Sequence, residues 1–182
     1  SWYRRQRQMC IRDSLKTHEI LSRNGYQAYE VSNFSKPGYE CNHNLHYWNI
    51  EPYLAFGPSA HGFDGQYRWN NSRSLDQYIS CILAGKSAIS MREKISVIEH
   101  INEKIGFGLR MKKGFEIKDI PKKYRSLIKN NIENTQEKYP DCINTKGNNI
   151  TFTQKGMLYA DELIPPILLS LIHISEPTRP IR

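Results

Sequence analysis

The sequence predicts an α/β chain in which the last piece of an α/β unit is followed by a small winged-helix-like α+β domain. Two observations lead to this fold class. A helical pattern over residues 15–24 is followed at once by a strand pattern over residues 26–34, as at the end of an α/β unit. From about residue 90 onward, the predicted order of elements is helix, helix, hairpin and helix, which is the order of a winged-helix domain.

The first elements are predicted from their residue types. Residues 15–24 have the pattern of the last turns of a helix, and Gly25 is placed to end it with a left-handed backbone. Residues 26–34 are rich in aromatic and β-branched side chains, which favours a strand. Residues 35–48 are rich in Pro, Gly and Asn and predict a loop, and a short strand is expected over residues 52–56.

The middle of the chain predicts two further helices. Residues 75–84 carry one apolar stripe at helical spacing, made of Leu75, Tyr78, Ile79, Ile82 and Leu83. The pattern Ser90-x-x-Glu93 predicts a capping box, because the hydroxyl and the carboxylate satisfy free backbone N–H groups at a helix start. We expect that helix to continue to about Met111.

The last elements complete the second part. Pro121 suits the first turn of a helix, and residues 145–148 predict the turn of a hairpin. Thr153 is placed to cap a last helix that reaches Ile164. The chain is therefore divided into residues 15–89 and residues 90–169.

Both ends of the chain, residues 1–14 and 170–182, resemble translated sequencing-adapter read-through and are set apart from the fold prediction. Ordinary frayed termini are the alternative. The two segments carry net charges of +3 and +1, so the formal charge of +8 falls to +4 for residues 15–169. A charge of +4 is ordinary for a soluble protein and gives little support to a nucleic-acid partner.

Composition excludes several classes of protein. Hydrophobic residues make up 38% of the 182 residues and charged residues 24%, which is typical of a soluble globular chain. No apolar run reaches the length of about 18 residues that a membrane span needs. The four cysteines form no C-x-x-C pattern, which excludes a local zinc or iron–sulfur motif. We therefore expect a cytoplasmic protein with reduced thiols.

A basic stretch in the second part leaves an alternative function open. It consists of Lys112, Lys113, Lys118, Lys122, Lys123, Arg125 and Lys129. Read as a phosphate-binding surface, it predicts a winged-helix nucleic-acid-binding module. Read as a solvated helix face that Glu116 and Asp119 partly offset, it predicts no nucleic-acid partner, and this second interpretation is the favoured one.

Aromatic side chains are concentrated in residues 26–69. This segment holds eleven of the twenty aromatic residues and three of the six histidines. Such a mixture suits a flat aromatic ligand, because rings stack on its faces while an imidazole binds a polar edge or a metal. The edge of an ordinary core, with Tyr and Trp bonded to loops, is the alternative.

The segment YEVSNFSKPGYECNHNLHYW, followed by YLAFGPSAHGF, resembles the oxygen-independent coproporphyrinogen III oxidase-like radical SAM family, and more closely its haem-chaperone (HemW-type) subgroup. The resemblance runs from residue 15 to about residue 169 and is most specific over residues 29–63. It implies that the first part is the terminal piece of a partial (β/α) barrel. Whether the parent protein is an oxidase or a chaperone stays open.

The resemblance also implies cofactors that this sequence is not equipped to hold. Family members carry a C-x-x-x-C-x-x-C motif for a [4Fe–4S] cluster that cleaves S-adenosylmethionine. That motif is absent, and Cys41 alone is no substitute for it. We therefore expect a C-terminal fragment without radical chemistry. Residues 15–69 are expected to fold poorly in isolation, because the neighbouring strands of the barrel are missing.

The H-N-x-x-Y-W motif of the family falls on His43, Asn44, Tyr47 and Trp48. In the haem-chaperone subgroup the resemblance associates this motif with haem, and His43 is then the candidate ligand of the haem iron. Tyr47 and Trp48 are expected to cover the porphyrin face or to bond a propionate. A structural role, pinning the barrel strand to the next domain, is the alternative. His46 ranks below His43 because it falls on a variable position.

A glycine-containing loop, Gly57-Pro58-Ser59-Ala60-His61, matches a second family feature. Loops after the strands of an α/β scaffold line its active site, so Gly57 and Ser59 are candidate cofactor-binding residues. For His61 a loop hydrogen bond is the favoured role. The expected partners are a tetrapyrrole and, in a chaperone, a haem-receiving protein.

Overall fold

The computed structural model describes residues 2–170 and has a mixed α/β fold, as predicted. In this range the helices are α1 (Trp2–Arg23), α2 (Asn42–Trp48), α3 (Leu75–Leu83), α4 (Val97–Arg110), α5 (Lys122–Lys138), α6 (Gln154–Leu158) and α7 (Ala160–Ile167). The strands are β1 (Gln27–Ala28), β2 (Phe34–Ser35), β3 (His61–Phe63), β4 (Tyr67–Asn71), β5 (Ile89–Lys94), β6 (Phe115–Glu116), β7 (Ile143–Lys146) and β8 (Asn149–Phe152).

The strand predicted over residues 26–34 is replaced by a short hairpin, so that prediction is wrong. Strands β1 and β2 contain two residues each and pair antiparallel, with Ala28 opposite Phe34. Between them the chain turns, and the Tyr29 N–H donates to the Asn33 carbonyl. The Val31 N–H donates to the Arg110 carbonyl at the end of α4, so this segment is tied to the second part of the chain.

A three-stranded antiparallel sheet, in the order β3–β4–β5, occupies the middle of the chain. At the turn between β3 and β4, Asp64 accepts hydrogen bonds from the backbone N–H groups of Tyr67 and Gln66, which lower the pKa of its carboxyl group. The strand predicted over residues 52–56 is reduced to a single bridge between Tyr53 and Phe63.

The predicted capping box at Ser90 and Glu93 is wrong, because both residues belong to β5. In the pairing of β5 with β4, Glu93 lies opposite Arg68, and Ser90 lies at an irregularity between the pairs of Ile89 and Met91. The capping box forms instead six residues later, where Ser96 and Glu99 bond reciprocally at the start of α4. Both positions fit the pattern Ser-x-x-Glu, and the sheet decides between them.

Helix α3 forms at the predicted position, with Ser74 as its N-cap. Its apolar stripe is not packed, because no residue of this helix is buried and Leu83 is 83% exposed. Phe56, in the loop before β3, is 79% exposed as well. The middle of the chain therefore carries a large apolar surface outside any core.

The second part of the chain has a continuous hydrophobic core. Helices α4, α5 and α7 pack around it against the sheet β6–β8–β7. Its fully buried members include Ile105, Leu109, Ile128, Leu163 and Ile167. The predicted order of helix, helix, hairpin and helix is confirmed, with β6 added to the hairpin as a third strand.

Two details complete this part. The predicted last helix is divided at Tyr159 into α6 and α7, and Thr153 caps α6 by accepting the Gly156 N–H. The Asn102 side chain holds the chain after α7 through hydrogen bonds of 2.9 and 2.8 Å to the Leu169 backbone. None of the helices within residues 2–170 is long and apolar enough to cross a membrane. Most of the C-terminal segment predicted to be read-through, residues 171–182, lies outside the described residues.

Candidate functional site

The H-N-x-x-Y-W motif lies on the short helix α2, so the loop predicted over residues 35–48 is wrong for residues 42–48. Cys41 and Asn49 are the cap residues on either side of this helix. The next residue, Ile50, has a left-handed backbone with φ 59°. Residues four positions apart share a helix face. The rings of His43 and Tyr47 accordingly meet edge to face, with their centroids 5.0 Å apart.

A cavity of about 540 Å³ lies beside α2. It is open to solvent and lies between α2, the β3–β4 hairpin and α4. Its lining residues are Asn33, Asn44, Tyr47, Trp48, Ile50, Tyr53, His61, Phe63, Arg68 and Phe107. Two ring contacts build its walls. Tyr47 meets Tyr53 at 4.7 Å, and Trp48 meets Phe107 of α4 at 5.5 Å. The cavity thus joins the motif to the second part of the chain.

The two histidines of α2 differ in their hydrogen bonds. The Nδ1 atom of His46 lies 2.8 Å from the Glu51 carboxylate, and its Nε2 atom lies 2.8 Å from the Pro52 carbonyl oxygen. His43 is exposed, and its imidazole makes no hydrogen bond to any residue in the described part of the chain. His43 does not itself line the cavity and reaches it only through the Tyr47 ring.

Two polar side chains of the cavity lining, Asn44 and Arg68, are held by hydrogen bonds. The Asn44 side-chain amide donates to the Tyr29 hydroxyl at 3.3 Å, which ties α2 to the turn between β1 and β2. Arg68 of β4 donates to both carboxylate oxygens of Glu103 on α4, at 2.5 and 2.8 Å. The same guanidinium lies over the Phe63 ring, 5.3 Å from its centroid.

Gly57 and Ser59 lie outside this cavity. Their loop has left-handed backbone at both positions, with φ 94° and 59°. Buried Asn71 donates to the carbonyl oxygens of Ala55 and Gly57, and the Gly57 N–H donates to the Tyr78 hydroxyl. The structure therefore anchors the loop against β4 and α3 and does not bring these two residues to the motif.

The three cysteines whose side chains the structure describes are not placed to share an iron–sulfur cluster. Within residues 11–170, Cys41 is exposed, Cys81 is half-buried and Cys142 is buried, each in a different part of the fold. Burial raises the pKa of the Cys142 thiol and so disfavours the thiolate that binds iron. The residues that the structure describes include no group of three or more His, Cys, Asp or Glu placed to hold a metal ion.

Several residues at the site were missed by sequence reasoning, among them Asn33 and Ile50 of the cavity lining and three residues that contribute to its far wall. Arg68 and Phe107 line the cavity, and Glu103 holds Arg68 in place. Arg68 lies between two aromatic residues in β4, which is an unremarkable pattern for a strand. Phe107 and Glu103 lie on α4, about 60 positions after the motif. No local pattern connects these positions, because only tertiary packing brings α4 to the motif.

The fold is similar to that of a radical SAM enzyme. Coproporphyrinogen III oxidase (HemN) from Escherichia coli aligns over 84% of this chain and 39% of that chain, with a TM-score of 0.66 and 15% sequence identity. This likeness supports the predicted fold, in which a terminal piece of a radical SAM domain precedes the winged-helix-like part.

Sequence comparison identifies closer relatives, which are haem chaperones. Heme chaperone HemW from Bacillus subtilis is 32% identical over 152 residues, which make up 81% of this chain and 40% of that protein. HemW from Lactococcus lactis is 35% identical over 107 residues, and HemW from Escherichia coli is 51% identical over 45 residues. The chain spans 28% and 40% of the length of the Lactococcus and Bacillus proteins. No family model matches the chain. The resemblance predicted from the motif is confirmed.

Proposed function

We propose that this chain is the C-terminal part of a HemW-like haem chaperone and that it contributes a tetrapyrrole-binding surface. The observation that carries the proposal is the geometry of α2. A free, exposed imidazole at His43 stands next to Tyr47, which lines a cavity walled by aromatic rings. Curated relatives named as haem chaperones support the same assignment.

The residues present offer a haem two features: an imidazole at His43 and, on the other side of the Tyr47 ring, an aromatic-walled cavity. Neutral imidazole is a common axial ligand of haem iron, and His43 has no competing hydrogen bond within the described residues. Volumes of about 300–1,000 Å³ are usual for small-molecule sites, and this cavity of about 540 Å³ falls inside that range. Tyr47 and Trp48 would cover an apolar porphyrin face, because their rings already form the cavity wall.

The proposed role of the chain itself is to hold and shield the tetrapyrrole. Bound haem supplies an iron that accepts a ligand from the protein. His43 would provide that ligand, Asn44 would keep α2 in place through Tyr29, and Trp48 with Phe107 would exclude water from the porphyrin edge. A [4Fe–4S] cluster and S-adenosylmethionine are assigned to the remainder of the longer protein, since the described cysteines do not fit a cluster.

The partners follow from a chaperone role. A protein that carries haem must pass it on, so we infer a haem-receiving protein as the second partner. An exposed ligand suits transfer, because another protein is able to approach His43 directly. A coproporphyrinogen oxidase-like activity of the longer protein is the alternative, supported by the fold alone. We also propose a cytoplasmic location, since the three described cysteines are free.

The nucleic-acid alternative finds no specific support. The basic side chains of the second part belong to different elements, and several are engaged within the protein. Lys112 donates to Gln27, and Lys113 donates to Asn49. Arg125 donates to the backbone carbonyls of Ile120 and Lys118. A phosphate-binding surface needs free cations side by side, which these contacts reduce.

The proposal is tested by titrating the full chain with haemin and following the Soret band. We expect a shifted band for the unaltered chain and its loss, or an at least tenfold weaker affinity, for His43→Ala. His46→Ala is the matched control, since it removes an imidazole of the same helix that is already hydrogen-bonded. Equal spectra for the chain and its His43→Ala variant would contradict the assignment of the ligand.

A further inference from the structure

Arg68 is the one cationic side chain that lines the cavity within the described residues. The remaining lining is mostly aromatic, with Tyr47, Trp48 and Phe107 among its members. The guanidinium is partly exposed and lies against the ring of Phe63. A single positive group in an aromatic cavity is a feature of sites that recognise a flat ligand by one anionic substituent.

The hydrogen bonds of Arg68 leave part of its guanidinium available. An arginine has five N–H donors, and Glu103 takes one from Nη1 and one from Nη2. No other acceptor for Arg68 occurs in the part of the chain that the structure describes. The Nε–H and the second N–H of the terminal nitrogen beside it therefore remain free. Together they form another hydrogen-bonding edge of the guanidinium. Two parallel donors of this kind match the two oxygens of a carboxylate.

Glu103 holds the guanidinium of Arg68 in one orientation. Its carboxylate side chain is only 17% exposed and comes from α4, so it fixes the guanidinium from the side of the second part of the chain. Phe63, which is 2% exposed, lies against one face of the same guanidinium. The orientation of Arg68 is thus set before any ligand arrives, which lowers the entropy cost of binding.

We propose that Arg68 binds a carboxylate of the tetrapyrrole and makes the cavity selective for porphyrins with free propionates over their esters. This inference rests on the proposed function and deepens it, because it assigns the acidic substituent of the ligand to a named residue. Binding of a carboxylate by Arg68 does not require the haem iron. Recognition by Arg68 and ligation by His43 are therefore separable.

The test uses two metal-free porphyrins, protoporphyrin IX and its dimethyl ester, with binding to the full chain followed by porphyrin fluorescence. We expect the acid to bind about tenfold more tightly than the ester, as for a charge-assisted bidentate contact. In Arg68→Gln the affinity for the acid is expected to fall to that of the ester, and the affinity for the ester to stay unchanged.

Arg92→Gln is the matched control. Arg92 also lies over an aromatic ring, that of Tyr67 at 4.3 Å, and pairs with a carboxylate at 3.2 Å, yet it does not line the cavity. It should keep the preference for the acid. Arg68→Lys keeps the positive charge but loses the paired N–H donors, and it should keep part of that preference. This variant shows whether a loss in Arg68→Gln comes from a folding defect.

Each outcome decides between the two claims. Equal binding of acid and ester to the unaltered chain would overturn the role of Arg68, even if haemin still shifts its Soret band through His43. A parallel loss of acid and ester binding in Arg68→Gln would overturn it too, because the residue would then act only on the shape of the cavity. Absence of binding by both porphyrins and by haemin would overturn the proposed function with it.

Discussion

The two parts of the chain differ most in where their apolar side chains lie. From α4 onward, three helices and a sheet share one hydrophobic core. Before α4, only Phe63 and Ala88 are buried hydrophobic residues among those that the structure describes, while Leu54 and Leu83 are more than 70% exposed. The candidate site lies in the sparsely packed part and contacts the packed part through Phe107 and Glu103. Binding segments are often placed in this way, on a loosely packed element beside a well-packed scaffold.

The largest expected effect tests the packed core. Leu163→Ala removes a side chain that is fully buried and should lower the free energy of unfolding by about 4 kcal/mol. Leu54→Ala removes a side chain that is 71% exposed and should change it by less than about 0.5 kcal/mol. Urea unfolding followed by circular dichroism measures both values. Losses of equal size would contradict the division of the chain into a packed and an unpacked part.

A pair of glycines sharpens the same comparison within the second part. Gly114 and Gly147 both have left-handed backbone, with φ 70° and 63°. A Cβ atom on Gly114 would lie 2.0 Å from the Ile150 carbonyl oxygen, whereas one on Gly147 meets nothing within 4 Å. Gly114→Ala should therefore cost about 3 kcal/mol, and Gly147→Ala about 1 kcal/mol, in thermal or urea unfolding. Comparable costs would mean that the β6–β8 contact is looser than described.

The third prediction concerns the boundary between the two parts. Ser96→Ala removes the N-cap of α4 and should cost about 1 kcal/mol of unfolding free energy. Ser90→Ala changes an exposed position of β5 and should stay within about 0.5 kcal/mol. If Ser90→Ala had the larger effect, the helix would begin where the sequence predicts it.

The same capping box adds a dependence on pH. Hydrogen bonds from the Ser96 side chain and backbone lower the pKa of Glu99. A depressed carboxyl pKa gives stability that is present above the ordinary carboxyl value and is lost as the pH falls through the folded value. The cost of Ser96→Ala should accordingly shrink in acid, which a comparison of unfolding at neutral and acidic pH measures.

This boundary also marks how far sequence reasoning reached. Ser-x-x-Glu occurs at Ser90 and at Ser96, and the local pattern alone ranks them equally. Five residue pairs between β4 and β5 settle the choice, and the members of these pairs are 18 to 27 positions apart in the sequence. Local propensity predicts helices such as α3 and α5 well, because their spacing and caps lie within one segment. It fails where partners are distant in sequence.

The candidate site divides along the same line. The motif residues from His43 to Trp48 were found from the sequence, and their spacing puts His43 beside Tyr47 once they are helical. The helix itself was not predicted, because Pro, Gly and Asn over residues 35–48 favour a loop. The walls contributed by Arg68 and Phe107 were not predicted either, because packing brings them from β4 and α4. The strand expected over residues 26–34 failed for a related reason: its backbone groups find partners after α4 and in a local turn, instead of in a neighbouring long strand.

The smallest expected effect lies in the first part of the chain. His18 is buried against Phe34, and the centroids of the two rings are 4.7 Å apart. Burial removes water from the imidazole and so lowers its pKa. As the pH falls below the ordinary value of 6.5, the unfolded state takes up a proton more readily than the folded state, so this contact weakens. Hydrogen exchange of residues 18–35 should quicken modestly between pH 7 and pH 5, beyond the intrinsic pH trend. His18→Gln should remove that excess, and an unchanged excess would contradict the role of His18.

We propose that α2 binds a tetrapyrrole while the second part of the chain supports it rigidly. Hydrogen–deuterium exchange of the full chain, with and without haemin, reports on both regions at once. We expect residues 101–167 to exchange slowly in both states, and haemin to protect residues 42–53 and the adjoining end of α4 at Phe107. Protection confined to the basic residues of α5, or no change over residues 42–53, would contradict the account.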